Sequence, residues 1–311
     1  MLIVLATSPR VAPGLLSWPA WEALRSASAV LAPAGHPQLP ALEEAGIAYR
    51  VKPEPDPELG AAKAVAVWLP EPGDDPPVPP GARLLYGTAD LPGAHFIDLV
   101  ATMDRLRVEC PWDAKQTHAS LAPHLLEESY EALEALESGD ERAVREELGD
   151  VLMQPVFHAR VAAERDDGTG FTIDDVADGI VAKLVRRHPH VFGDVTVSGA
   201  DEVKANWDEI KREEKRARAS ARGEAGASHA PSTLDGVPFG QPALALAAQL
   251  QRRAARAGAP DELAGLDGAE DIGGELFRLV ARARKAGLDP EMELRAAARR
   301  YRELVRSWER S

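Results

Sequence analysis

Only one cysteine, Cys110, occurs in the chain. That excludes an internal disulfide and leaves no thiolate cluster for a structural metal. Aromatic residues are scarce, 5% of the chain against 45% hydrophobic residues in all. The balance suits an Ala- and Leu-rich helical protein better than a β-sandwich. Cations are outnumbered, with 36 Lys and Arg facing 50 Asp and Glu for a net charge of −14. Nucleic acid and anionic membrane both require a basic surface, so neither is expected as the main partner. No apolar run reaches the ~18 residues that a bilayer-spanning helix needs. The opening "MLIVLATSPR" also lacks the basic flank of a signal peptide. A cytoplasmic location is the expectation, in a chain of 311 residues that accommodates about two domains.

The pattern along the chain is mainly α with a small N-terminal α/β segment. "LIVLA" predicts a short strand, "SWPAWEALRSA" a helix and "AVLAPA" a second strand. Nine prolines between Pro53 and Pro80, with several acids, predict a loop or semi-rigid linker. Residues 1–93 are thus expected to be an α/β segment plus linker, and 94–215 a helical module. Its helices are predicted near 95–107, 120–138, 141–165, 173–187 and 200–218. Ser138-Gly139-Asp140 marks a helical hairpin turn, with Asp140 placed to cap the next helix, and Thr172 or Asp174 can cap a later one. The stretch "RARASARGEAGASHAPST" at 216–233 has the composition of a mobile linker. Residues 234–311 are expected to form a further helical part, with helices at 241–257 and 271–308.

The hairpin holds an electrostatic puzzle. From Gln116 to Glu141 there is no Lys or Arg, yet Glu127, Glu128, Glu131, Glu134, Glu137 and Glu141 all fall there. Like charges three and four residues apart destabilise a helix by a few tenths of a kcal/mol per pair, about 0.2–0.5. Glu128 and Glu131 share one helix face, as do Glu147 and Asp150. The two pairs are centred equally far from Gly139, about 14 Å along each axis at about 1.5 Å per residue. An antiparallel hairpin therefore sets four carboxylates at one height. Leu125, Leu133, Leu136, Leu148, Val151 and Leu152 are expected on buried faces nearby.

A ligand set of oxygen alone suits a hard cation, Mg²⁺ or Mn²⁺, rather than zinc. A di-iron carboxylate bundle would use Glu-x-x-His pairs, and neither pair has the His. The plainer alternative is an acidic face turned to water. Cations come later: Lys183 and Arg187 lie one turn apart with Arg186 beside them, and Trp207 and Lys211 repeat the spacing. Metal, Lys/Arg and an aromatic together equip a site for a polyphosphate attached to a base. Alternatively, Arg186 and Arg187 complement a helix C-terminus, and Trp207 is an anchor in a core or interface. His188 and His190 lack the third ligand of a zinc site and are better suited to ordering a turn.

The segments "CPWDAKQTH", "LEESYEALEAL", "REELGDVLMQPVFHARVAAE", "KLVRRHPHVFGDV" and "WDEIKREEK", in this order, closely resemble the MazG family of nucleoside triphosphate pyrophosphohydrolases. The resemblance covers about residues 96–215. It implies an all-α NTP pyrophosphatase fold, a tightly packed homodimer, and hydrolysis of NTP or dNTP to the monophosphate and pyrophosphate with Mg²⁺. Carried over by position, it implies metal ligands at Glu128, Glu131, Glu147 and Asp150. Lys183 and Arg187 match the phosphate-contacting cations, Trp207 a substrate-binding residue, and Lys211 a catalytic one. A ligand carboxylate must stay ionised, so the general base is sought beside the metal set, at Glu127 or, less well placed, Glu146.

The C-terminal "AEDIGGELFRLVARARKAGLDPEMELRAAARRYRELVRSWE" resembles the second half of another such module, with Asp271-Ile-Gly-Gly274 where the Glu-x-x-Asp pattern would stand. That part is expected to pack rather than bind metal. The N-terminal "PGLLSWPAWEALRSASAVLAPAGHP" faintly resembles the opening of tetrapyrrole methylases, in a segment too short for that whole domain. Three functions stay open on sequence. They are a broad nucleotide-pool pyrophosphohydrolase, a narrower relative for dUTP or phosphoribosyl-ATP, and a helical scaffold without catalysis.

Overall fold

A computed structural model describes residues 1–55, 64–221, 232–263 and 271–311. The chain packs as two compact units, Met1–Val203 and Lys204–Ser311.

In the first unit, strand β1 (Leu2–Ala6) has every side chain buried. Ile3 and Leu5 join one cluster with Ala20, Leu24 and Leu42, while Leu2 and Val4 join another with Leu31 and Trp68. Burial on both faces is the signature of a strand inside a parallel sheet. The chain continues through α1 (Trp18–Ser26), β2 (Ala29–Ala32), α2 (Leu39–Glu44), β3 (Arg50–Val51), β4 (Ala66–Trp68) and β5 (Arg83–Tyr86). The strand order is β3-β2-β4-β1-β5, with all four pairings parallel.

The strand readings of "LIVLA" and "AVLAPA" agree with β1 and β2. The Pro-rich stretch differs. Of residues 53–80, expected to be a linker, 56–63 lie outside the described residues, and β4 sits between β2 and β1, wholly buried. Three residues are too few to show a period-two pattern. The registers Leu2↔Ala66 and Val30↔Val67 supply what local sequence does not.

A buried polar pair pins the loops above this sheet. His36 is 1% exposed. Its Nε2 meets Pro70 O at 3.0 Å, and its Nδ1 accepts from Gln38 N at 3.1 Å. Accepting at Nδ1 requires the ring to be neutral there, and burial lowers the His36 pKa accordingly.

The helical part of the first unit starts with α3 (His95–Glu109), followed by a 3-10 turn at Asp113–Lys115 and α4 (His118–Ser138). Then come α5 (Glu141–Ala162), α6 (Ile173–Arg187), the single turn α7 (Pro189–Phe192) and the start of α8 (Ala200–Ala221). The reasons for these boundaries are local. Thr117 and Ser120 form a capping box at the head of α4. Gly139 ends α4 with a left-handed φ of 73°, a conformation that disfavours any side chain. Asp140 Oδ1 accepts from the N–H groups of Arg142 and Ala143, and Thr172, with Asp175, caps α6.

Met103, Leu121, Val156 and Phe157 form the core where α3, α4 and α5 meet. Toward the hairpin turn the buried side chains of α4 are small, Ala132 and Ala135. Leu125, Leu136, Leu148 and Leu152, expected on buried faces, are instead exposed. The alanines let the two helices approach closely and leave the leucines outside the seam. Leu133 and Val151 are partly buried.

The second unit contains the remainder of α8, then α9 (Ala243–Arg256), α10 (Ile272–Lys285) and α11 (Pro290–Glu309). α9 packs on both α10 and α11. Most of the expected linker at 216–233 lies outside the described residues, which resume at Ser232. The stretch 271–308, expected to be helical, forms two helices, because Gly287 turns left-handed at φ 76° and Asp289 caps a new helix with Pro290 at its first position. Asp271 Oδ1 accepts from Gly274 N at 2.6 Å, so this residue acts as a helix cap. No helix among the described residues is long and apolar enough to cross a membrane.

Candidate active site

The hairpin of α4 and α5 brings three of the four expected carboxylates together. Glu128, Glu147 and Asp150 each offer a carboxylate oxygen, and these atoms all lie within 4.8 Å of one another. Glu131, one turn on from Glu128, lies outside this group, though its charge acts on Glu147. Among the described residues no ion pair engages any of the four.

The electrostatic strain shows in their protonation. Partial burial raises the pKa of Glu128, and the charges of Asp150, Glu131, Glu127 and Glu147 add in the same direction. Burial likewise raises the pKa of Glu147, followed by the charges of Glu131, Asp150 and Glu146. Two acids whose pKa is raised, first by burial and then by the like charges around them, form a place where positive charge would be stabilised. The donors are all carboxylate oxygen, which fits a hard divalent cation.

Glu127 projects from the exposed side of the same turn, with its Oε2 3.6 Å from His124 Nδ1. The ring of Trp112 meets His124 edge-on, with centroids 6.0 Å apart. The sequence reading missed His124, although its position three residues before Glu127 places both on one helix face. Arg107 was missed as well. Its guanidinium grips Glu164 with two bonds of 2.8 Å and reaches the carbonyls of Asp113 and Gln116, the latter at 3.0 Å. It thereby fixes the loop that leads into α4. No spacing could have revealed it, because Glu164 is 57 residues away.

Lys183 and Arg187 lie one turn apart on α6, which packs on α5. Trp207 and Lys211 belong to α8 in the second unit, where Lys211 Nζ sits 4.1 Å from the Trp207 ring centroid. The carboxylates and this cation–π pair thus fall in different units. His188 and His190 have their rings 5.7 Å apart across Pro189, and His188 Nδ1 meets Leu184 O at 2.7 Å, so His188 orders a helix end.

Residues 116–192 match the MazG nucleotide pyrophosphohydrolase domain. An uncharacterized 26.1 kDa protein of Streptomyces cacaoi is 47% identical over 74% of this chain and 89% of its own length. A nucleoside triphosphate pyrophosphohydrolase of Mycolicibacterium smegmatis is 42% identical over 74% of this chain, which spans 64% of that relative. The nucleoside triphosphate pyrophosphohydrolase/pyrophosphatase MazG of Thermotoga maritima is 38% identical over 70% of this chain and 86% of its own length. With its acidic hairpin inside the matched residues and 38% identity to a MazG protein of which it covers 86%, the chain belongs to the MazG family of nucleotide pyrophosphohydrolases.

Proposed function

We propose that this chain hydrolyses nucleoside triphosphates, ribo and deoxyribo alike, to the monophosphate and pyrophosphate in a divalent-cation-dependent reaction. The observation that carries this reading is the convergence of Glu128, Glu147 and Asp150 within 4.8 Å. Mg²⁺ is the expected ion, with Mn²⁺ able to substitute, and Glu131 completes the ligand set. When bound, the ion supplies charge neutralisation and Lewis acidity at the phosphates.

The chain's own residues do the rest. Lys183 and Arg187 bind the triphosphate and disperse its charge, and Trp207 offers a face to the base. Glu127, whose Oε2 lies 3.6 Å from His124 Nδ1, takes the proton from the water that attacks the α-phosphorus. Pyrophosphate leaves, and Lys211 stabilises the charge that develops on it. Little covalent chemistry is asked of the protein, so positioning and electrostatics supply most of the rate.

Exposed Leu126, Leu148, Leu152, Ile180, Val181 and Leu184 on three helices support burial of apolar surface against a second copy in a homodimer. A cytoplasmic nucleotide-pool role is consistent with the acidic surface.

The test is incubation with the eight common NTPs and dNTPs and Mg²⁺, with pyrophosphate assayed against orthophosphate. Pyrophosphate from several nucleotides is expected. Release from a single nucleotide replaces the broad reading with a narrow one. Orthophosphate alone means a different bond is cut, and no product at all favours the scaffold.

A further inference from the structure

The carboxyl ends of β1, β4 and β5 surround a pocket of about 270 Å³, away from the acidic hairpin's carboxylates. Thr7 and Ser8 follow β1, Gly73 and Asp74 follow β4, and Thr88 and Asp90 follow β5, all of them lining it. In open parallel sheets the crevice beyond the carboxyl ends of the strands is where small molecules bind.

Two features of this crevice define what it would accept. Thr7 is only 3% exposed, and its Oγ1 has no hydrogen-bond partner. A hydroxyl so buried and so unmatched is uncommon, since burying a polar group without a bond is unfavourable. Charge is the second feature. Arg10, with its side chain 4% exposed, donates from Nε to Asp98 at 2.8 Å and to Asp74 from Nη1 and Nη2 at 2.6 and 2.9 Å. Its Nη1 also pairs with Asp90. Three carboxylates around one guanidinium leave an excess of negative charge beside the pocket, and no Lys, Arg or His is among the residues that line it. An anionic ligand would meet this negative field with only neutral hydroxyl and amide donors to receive it.

We propose that this pocket binds a small organic cation carrying ammonium or amidinium N–H groups, which Thr7 Oγ1 accepts from and Asp74 and Asp90 balance in charge. The volume lies just under the range of about 300–1,000 Å³ for drug-sized ligands, so the occupant is small.

Agmatine and putrescine are suitable probes, titrated calorimetrically into the full chain. Saturable binding is expected, weakened about tenfold by Thr7→Val, the equivalent of one hydrogen bond to a charged donor. Asp150→Asn should leave the affinity unchanged, which separates this pocket from the acidic hairpin. In the unmodified protein, amide NMR signals of Ser8, Gly73 and Thr88 should move on titration, a readout that stands even if a variant does not fold. No saturation with either probe, unchanged affinity in Thr7→Val, or shifts confined to α4 and α5 would each overturn the proposal.

Discussion

His118 Nδ1 and His158 Nδ1 lie 2.8 Å apart, their rings within 6° of parallel. One nitrogen must donate and the other accept, so the pair cannot be fully protonated and keep this bond.

A pH dependence follows. Burial, and then the charge of His118, lower the His158 pKa from 6.5. The unfolded chain therefore takes up a proton at a higher pH than the folded one, and stability falls as pH drops below about 6.5. Thermal melts between pH 8 and pH 5 should show this loss, and His158→Gln should flatten it. An unchanged slope in the variant would assign the dependence to other groups.

At the carboxylate cluster the sign reverses. Glu128 and Glu147 hold their protons above the usual 4.5. The metal-free fold is therefore destabilised as pH rises through the window above that value. Mg²⁺ or Mn²⁺ should raise the melting temperature at pH 7.5 and do so much less at pH 5. Equal gains at both pH values would contradict a site that needs ionised carboxylates.

Substitution at the cluster should separate activity from stability. Glu128→Gln and Asp150→Asn are expected to lower pyrophosphate release by at least about 100-fold, the scale of losing a central electrostatic group. Both should also raise the metal-free melting temperature, because each removes a repelling charge. A variant with full activity would sink the ligand assignment.

Gly139→Ala tests the turn. A side chain at φ 73° costs about 1–2 kcal/mol, measurable as a lower urea midpoint with an unchanged slope.

Arg107→Ala should cost about 2 kcal/mol, from the lost fork to Glu164 and the lost bonds to the carbonyls of Asp113 and Gln116. Arg107→Lys should recover only part of it, since an ammonium cannot form the two-bonded grip. Equal stability of the Lys variant and the parent protein would show that charge alone matters there.

Much of the hairpin was legible in the sequence because its determinants are local. The turn residues, the caps and the i,i+3 acids all lie within a few residues of what they act on. Strand β4 was hidden because three residues carry no period and its partners are distant in sequence. Arg10 gave no signal for the same reason. The break at Gly287 did have one, Gly followed by Asp-Pro, the stop-and-start punctuation that also marks Ser138-Gly139-Asp140. The exposed leucines were misjudged because periodicity reports an apolar face without saying what covers it.

The bonds of Arg10 reach partners 64, 80 and 88 residues away. Contacts of such sequence separation close large loops, and their entropy must be overcome before they form. The α4–α5 hairpin, by contrast, closes across a turn of two residues. The acidic cluster is therefore expected to assemble early in folding and the Arg10 junction late. Weakening that junction, as in Arg10→Met, should accelerate unfolding while leaving the folding rate nearly unchanged.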